Sequence, residues 1–302
     1  MEILHRPERS DVPTAIALGG FDGLHRGHQA VLRAALGDPA LCSAVFTFDS
    51  LPQVKHNRRL MSAAMQQSLL AQMGFARIYR ADFHALHAMS PESFVTELLA
   101  KRLRTKKISC GFNYRFGYQG AGDSALLQKL CAPLGIAVAV VQPVMAEGAP
   151  VSSTRIRTLM EQGEAEAAAA LLGRPFAIDF AVSHGRELGR TIGMPTINQV
   201  FPDDFVLPRF GVYASVAVVN GRRYAGVTNV GVKPTVGAER PLAETNILGF
   251  ADDLYGQCIP LELHHFLRPE QKFPSVAALG AQMARDRAHA AALLGESGAL
   301  RG

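Results

Sequence analysis

The 302-residue sequence contains no tryptophan, 7% aromatic residues, four cysteines and 19% charged residues. A surface that stacks successive bases of single-stranded nucleic acid needs aromatic side chains, and this chain is poorly supplied with them. Cys42, Cys110, Cys131 and Cys258 lie far apart with no Cys-x-x-Cys pair. That excludes a zinc knuckle, a dithiol redox motif and a dense disulfide framework, and three of the four sit in apolar stretches that predict buried thiols. No apolar run approaches the roughly 18 residues of a membrane span, and the first ten residues, MEILHRPERS, lack the apolar core of a signal peptide. A reducing cytoplasm is the expected compartment. What the chain does have is 48% hydrophobic residues and a net charge of +5. It should fold, and its positive balance suits phosphorylated small molecules as well as it suits a polyanion.

At about 150 residues per domain the length predicts two domains. From Thr14 to about Leu172, β-rich apolar runs alternate with helical patterns. TAIALGGF, LCSAVFTF, ARIYRA, KKISCGF and IAVAVV read as strands; HQAVLRAAL, SAAMQQSLLAQMG, PESFVTELLAKRLR and DSALLQKLCAPLG read as helices. This alternation predicts an open, mostly parallel sheet with helices on both faces. Ligands bind past the carboxyl ends of the strands in such a sheet. The unusual polar clusters fall there: GGFDGLHRGH after the first strand, Asp49 after the second, NYRFG after KKISCGF, and SSTRIR a few residues past the last.

The sharpest of these is Gly19 to His28. Its glycines let backbone approach a ligand closely, and it leads into a helix whose N-terminal N–H groups favour phosphate. His25-Arg26-Gly27-His28 can set two imidazoles against a triphosphate at that helix start, where charge develops during phosphoryl chemistry. Ser152-Ser153-Thr154-Arg155-Ile156-Arg157 offers hydroxyl caps and a guanidinium, from Arg155 or Arg157, for a phosphate at another helix start. Taken singly, each is also an ordinary feature, a glycine turn with surface histidines or a capped helix. Together they resemble the nucleotidyltransferase superfamily.

Past Leu172-Gly173-Arg174-Pro175 the period changes. FAIDFAVSHG, GVYASVAVV, RRYAGVTNVG, ETNILGF and CIPLELHHFLR read as strands, and Asn220-Gly221 marks a hairpin. A compact antiparallel barrel follows, closed by a helix over SVAALGAQMARDRAHAAALLG. The glycine-rich, basic segment from Gly185 to Gly193, with Gly189 and Arg190, could wrap a phosphate chain, and Thr196 and Asn198 in Pro195-Thr196-Ile197-Asn198 offer oxygens to a magnesium ion. Glu244, read as beginning a strand, is a candidate base for a hydroxyl. A long surface loop and a solvated glutamate are the plain alternatives.

In this order the segments resemble the prokaryotic bifunctional riboflavin kinase/FMN adenylyltransferase family. GGFDGLHRGHQ, Thr47-Phe48-Asp49, GFNYRFG, SSTRIR, LLGRP, HGRELGRTIGMPTIN, GVYASV, NVGVKPT, the Glu244 strand, DLYG and LRPEQKF all match. The resemblance implies a Rossmann-like nucleotidyltransferase domain over 1–173 and a six-stranded antiparallel riboflavin-kinase barrel with a terminal helix over 174–302. The first would transfer AMP from ATP to FMN, giving FAD and pyrophosphate; the second would phosphorylate riboflavin. Carried over by position, Gly20, Phe21, Asp22, His25 and His28 would hold ATP in the first site. Ser152, Ser153, Thr154 and Arg155 would contact its phosphates, and Asp49 and Asn113 would lie where FMN meets the adenylyl group. In the second, Thr196 and Asn198 would hold Mg–ATP, Gly185, Gly189, Arg190 and Gly193 would cover the phosphates, Glu244 would take the hydroxyl proton and Arg268 would lie near the flavin. ATP, Mg2+ and flavins are the implied cofactors and substrates, with neither nucleic acid nor membrane as partner and a monomer or weak homo-oligomer as the assembly.

Some positions depart from the family pattern. Ser50-Leu51-Pro52 stands where Pro-His-Pro is usual, Tyr118-Gln119-Gly120 lacks a common arginine, Asn113 replaces a frequent aspartate and Lys233 replaces an arginine. Losing one cationic phosphate contact costs about 2–3 kcal/mol of transition-state stabilisation. A riboflavin kinase with weakened or lost adenylyltransferase activity is therefore the alternative within catalysis. A flavin-responsive, nucleic-acid-binding regulator is the alternative outside it.

Overall fold

The computed structural model describes residues 1–5, 7–48, 58–82, 86, 88–183, 195–235 and 238–300, and the side chains of 233–239 are outside that description. Packing divides the chain into two units, Met1–Asn57 with Ala63–Ser152, and Arg58–Ser62 with Ser153–Gly302.

The first unit is built on six parallel strands: β1 (Glu2–Leu4), β2 (Thr14–Leu18), β3 (Cys42–Phe48), β4 (Arg77–Ala81), β5 (Thr105–Gly111) and β6 (Ala137–Val141), in the order β1-β4-β3-β2-β5-β6. Every residue of β2 is buried, as a central parallel strand covered on both faces requires. Ile16, Leu18, Phe46, Tyr79, Ile108 and Cys110 join one core cluster. The alternate residues Ala15, Ala17, Val45 and Ile78 are equally buried on the other face. Helix α1 (Arg26–Ala35) covers that second face, its Val31 lying against Gly111. The order of connection reverses between β2 and β5, so the loops leaving those two strands flank a topological switch point.

Helix α2 (Ala63–Gln72) joins β3 to β4. Helix α3 begins at Pro91–Ser93, capped by Ser90, whose Oγ accepts the Ser93 N–H at 3.1 Å. It then continues as a π-helix over Phe94–Arg102. An α-helix would carry the nine steps from Phe94 to Leu103 through about two and a half turns, leaving them on opposite sides. With i→i−5 bonds, including Leu103 N–H to Leu98 O at 2.9 Å, both reach the same core. Helix α4 (Ser124–Cys131) is capped by Asp123, whose Oδ1 accepts from Leu126 N–H at 2.8 Å. The sequence pattern missed β1 and a small hairpin, β7 (Met145–Ala146) with β8 (Ala149–Pro150). Among the cysteines, Cys110 and Cys131 are buried, Cys42 is half-buried and Cys258 is exposed, so two rather than three are core thiols.

The second unit opens with helices α5 (Ser153–Gln162) and α6 (Ala165–Leu172), upstream of the Gly173-Arg174-Pro175 junction. Glu166 on α6 meets His265 at 2.7 Å. The strands β9 (Phe176–Ile178), β10 (Val182–Ser183), β11 (Ile197–Val200), β12 (Gly211–Val219), β13 (Arg222–Thr235), β14 (Ala238–Ile247) and β15 (Leu261–Arg268) form one antiparallel sheet. Its order is β10-β11-β14-β13-β12-β15-β9. The two edge strands β9 and β10 are separated by only Asp179, Phe180 and Ala181, so the sheet must curl until its edges meet. The segment read as one strand, FAIDFAVSHG, is thus broken at Asp179, and among the described residues the expected six strands become seven elements. Asn220 (φ 50°) and Gly221 (φ 76°) make the hairpin turn, and Val219 faces Arg222 across it. Helix α7 (Val276–Glu296) packs Ala290 and Leu294 on Ala214 and Val216 of β12. The segment 58–62 is laced into this unit. Arg59 pairs with Asp204, Ser62 Oγ donates to Asp179 Oδ2 at 2.6 Å, and Arg157 Nε donates to Arg58 O at 2.6 Å.

Candidate functional site

At the switch point of the first unit the chain leaves β2 in a loop whose backbone is held in unusual conformations. Phe21 (φ 52°) and Leu24 (φ 44°) occupy the left-handed region, at a cost of roughly 1–3 kcal/mol each. Both side chains are buried, which anchors them. The loop carbonyls are secured from beneath. Gly20 O accepts from Thr47 Oγ1 at 3.2 Å and Gln66 Nε2 at 3.4 Å, Phe21 O from Gln66 Nε2 at 3.2 Å, and Leu24 O from Gln29 Nε2 at 2.9 Å.

His25 caps α1. Its Nδ1 accepts the His28 N–H at 3.2 Å, which places the proton of the neutral imidazole on Nε2. The His25 and His28 rings stack at 3.6 Å between centroids and 16° between planes, and Phe21 meets His28 edge-on at 5.5 Å. Although His28 as a residue is half-buried, its Nδ1 is enclosed and has no partner among the described residues. Burial pushes the His28 pKa well below the ordinary imidazole value, and the neighbouring His25 lowers it further. Gly27 lies between them because a Cβ there would come within 3.1 Å of His25 Cε1 and 3.6 Å of Val151 O. The Val151 carbonyl, just before Ser152, thus lies beside the Gly27 position of the His-x-Gly-His turn. Ser153, Thr154 and Arg155 form the first turn of α5 in the second unit. Arg157, the other guanidinium of this motif, is buried and committed through Nε to the Arg58 carbonyl.

Past β5, Asn113 is exposed, and its Oδ1 stands 3.3 Å from where a Gly111 Cβ would lie. Gly117 (φ 74°) packs so closely on Pro91 that a Cβ would approach to 2.8 Å. Phe112, 45% exposed, presents a ring beside this loop that the sequence reading did not single out. Asp49 and Ser50-Leu51-Pro52 lie outside the described residues.

In the second unit Glu244 sits in the middle of β14, not at its beginning, because β14 extends from Ala238. It faces Asn198 of β11 on one side and Asn229 of β13 on the other. Thr196 Oγ1 donates to Glu244 Oε1 at 3.1 Å. Asn246, on the same face of β14 as Glu244, was not anticipated. Its Nδ2 donates to Pro195 O at 2.8 Å, tying down the Pro-Thr-Ile-Asn segment, while its Oδ1 is buried without a partner among the described residues. Hydroxyl, amide and carboxylate oxygens converge here, a hard donor set of the kind that suits Mg2+, and the orphaned amide oxygen marks room for a donor or cation. Asn229 Nδ2 donates to Glu270 Oε1 at 2.9 Å. Arg268 is paired through Nε and Nη2 with the buried Asp286 of α7, the shortest bond being 2.7 Å. Gly185, Gly189, Arg190 and Gly193 lie outside the described residues.

Two family models match consecutive parts of the chain, FAD synthetase over residues 8–155 and riboflavin kinase over 172–294. The bifunctional riboflavin kinase/FMN adenylyltransferase of Listeria monocytogenes is 35% identical over 298 residues, covering 94% of each chain. The chain belongs to that family. The Escherichia coli K12 member is 36% identical over 281 residues, covering 90% of each chain, and the Bacillus subtilis member is 32% identical over 300, covering 95% of this chain and 94% of its own. A crystal structure described as a macrolide-efflux protein from Streptococcus pneumoniae superposes with a TM-score of 0.83 at 29% identity, over 94% of this chain and 96% of that one. No helix among the described residues is long and apolar enough to cross a membrane.

As a riboflavin kinase/FMN adenylyltransferase, the chain makes FAD from riboflavin by two activities, and ATP and flavins are its substrates. The parallel sheet carries the FAD synthetase match, and the curled antiparallel sheet with its terminal helix carries the riboflavin kinase match.

Proposed function

We propose that the two reactions run at the two clusters described above, with a functional boundary near Gly173. The stacked His25–His28 pair at the start of α1 supports the first assignment. A phosphate oxygen of FMN attacks the α-phosphorus of ATP, the bond to the β-phosphate oxygen breaks, and pyrophosphate leaves. Gly20, Phe21 and Asp22 receive ATP, His25 and His28 meet the charge that accumulates on the triphosphate, and Ser152, Ser153, Thr154 and Arg155 hold the departing phosphates. Asp49 and Asn113 orient FMN. Catalysis is positioning and charge neutralisation with no covalent intermediate.

Glu244, flanked by Asn198 and Asn229 and accepting from Thr196, supports the second. Its carboxylate takes the proton of the ribityl 5′-hydroxyl as that oxygen attacks the γ-phosphorus and ADP departs. Thr196 and Asn198 are the residues that would hold Mg2+, which neutralises phosphate charge when bound. A hydroxyl has one hydrogen and two lone pairs, so Thr196 can keep its bond to Glu244 while offering oxygen to a cation. Gly185, Gly189, Arg190 and Gly193 cover the phosphates. Arg268, held by Asp286, fixes the segment running to Glu270 on the flavin side. The protein acts in the cytoplasm as a monomer or weak homo-oligomer.

Supplying FMN and ATP and separating the products by HPLC tests the first assignment. FAD is the expected product; FMN formation from riboflavin without any FAD from FMN would leave a monofunctional kinase.

A further inference from the structure

We propose that Gln66, oriented by Arg80, is a positioning residue for adenylyl transfer that sets the loop receiving ATP. The inference rests on the assignment of the Gly20–Phe21 loop to the adenylyltransferase.

Gln66 on α2 and Arg80 on β4 are both buried. Arg80 Nη2 donates to Gln66 Oε1 at 2.8 Å and to Ala63 O at 3.5 Å. A guanidinium only donates, so the amide oxygen of Gln66 must face it and the amide nitrogen must face the loop. There Nε2 meets Phe21 O at 3.2 Å and Gly20 O at 3.4 Å, beside Thr47 Oγ1 on Gly20 O at 3.2 Å.

In a trans peptide the C=O and the following N–H point in opposite directions. Drawing the Gly20 and Phe21 carbonyls toward Gln66 therefore aims the Phe21 and Asp22 N–H groups to the other side of the loop. Successive N–H groups aimed together make an anion-binding concavity, and Phe21 at φ 52° bends the backbone where that concavity forms. The ring of the same Phe21 meets His28 edge-on at 5.5 Å. A buried guanidinium is an expensive way to orient an amide for stability alone, where a well-packed apolar pair does as well or better. Its charge polarises the amide and strengthens donation to both carbonyls.

The test uses the full chain, with Gln66→Glu, Gln66→Met, Arg80→Lys and Arg80→Met. Each variant is assayed for FAD from FMN and ATP, for FMN from riboflavin and ATP, and for thermal unfolding. Glutamate at 66 keeps a partner for Arg80 but turns an acceptor toward two carbonyls. Gln66→Glu should therefore unfold at a somewhat lower temperature yet stay folded in the assay and keep riboflavin kinase activity, while kcat/KM for ATP in FAD formation falls by about tenfold or more and KM for FMN is unchanged. Arg80→Lys, which retains a donor for Gln66 Oε1, should keep most of the activity that Arg80→Met loses. Should Gln66→Glu fold poorly, the split between Arg80→Lys and Arg80→Met decides. Wild-type FAD formation with Gln66→Glu within about twofold of it overturns the inference alone, as does FAD loss that only tracks a fall in unfolding temperature. A wild-type chain that makes no FAD overturns the assignment beneath it.

Discussion

His25 and His28 are joined twice: their rings stack at 3.6 Å, and His25 Nδ1 accepts the His28 backbone N–H. A proton on His28 therefore meets both an enclosed environment and a second imidazole, and its pKa is held low. The unfolded chain binds that proton at about pH 6.5 and the folded chain only at lower pH, so stability falls as pH drops below about 6.5. His28→Asn should flatten this part of the stability–pH curve, measured by urea unfolding. A triphosphate beside the pair supplies opposite charge and raises the pKa, so ATP binding near pH 6.5 should take up a proton that His28→Asn does not. Calorimetry in two buffers of different ionisation enthalpy reads that uptake.

Glu244→Gln keeps the strand pairings with Asn198 and Asn229 and removes the proton acceptor. FMN formation should fall by about 10²–10⁴-fold, with FAD formation from added FMN intact. A coupled assay of ADP release checks the first, and HPLC the second.

Thr196→Val removes the hydroxyl that donates to Glu244 and that, in the proposed kinase site, would hold Mg2+. Kinase activity should then need a higher Mg2+ concentration for half-saturation, and chelation of the metal should abolish it. A magnesium titration with ATP held in excess gives the shift.

Asp286 is buried against Arg268 and also accepts from Gln282 at 2.8 Å. Asp286→Ala leaves a guanidinium that side-chain packing had largely enclosed, and should cost about 3–5 kcal/mol in the second unit. Arg268→Lys keeps the charge but loses the two-pronged geometry, and should raise KM for riboflavin through the segment reaching Glu270. Denaturant unfolding and kinase kinetics separate the two effects.

Much of this was legible in the residues because the local signals agreed. Asn220-Gly221 demanded two positive φ values and has them, and the all-apolar TAIAL segment declared a strand buried on both faces. A polar stretch before Glu244 makes it look like the first residue of a strand, yet β14 runs through that stretch paired to β13. The break at Asp179 left no pattern, since it follows from a sheet whose two edges meet. Gln66, Arg80 and Asn246 carry no motif. They make hydrogen bonds to backbone or side-chain groups distant in sequence, which periodicity does not register.

The central claim, two separate reactions on one chain, is tested most directly by complementation. His28→Ala and Glu244→Gln are mixed in equal amounts with riboflavin and ATP, and FAD is measured by HPLC beside each variant alone. His28→Ala alone should stop at FMN, Glu244→Gln alone should leave riboflavin unchanged, and the mixture should make FAD. Loss of both activities in either single variant, or a mixture that accumulates FMN without FAD, would contradict the account.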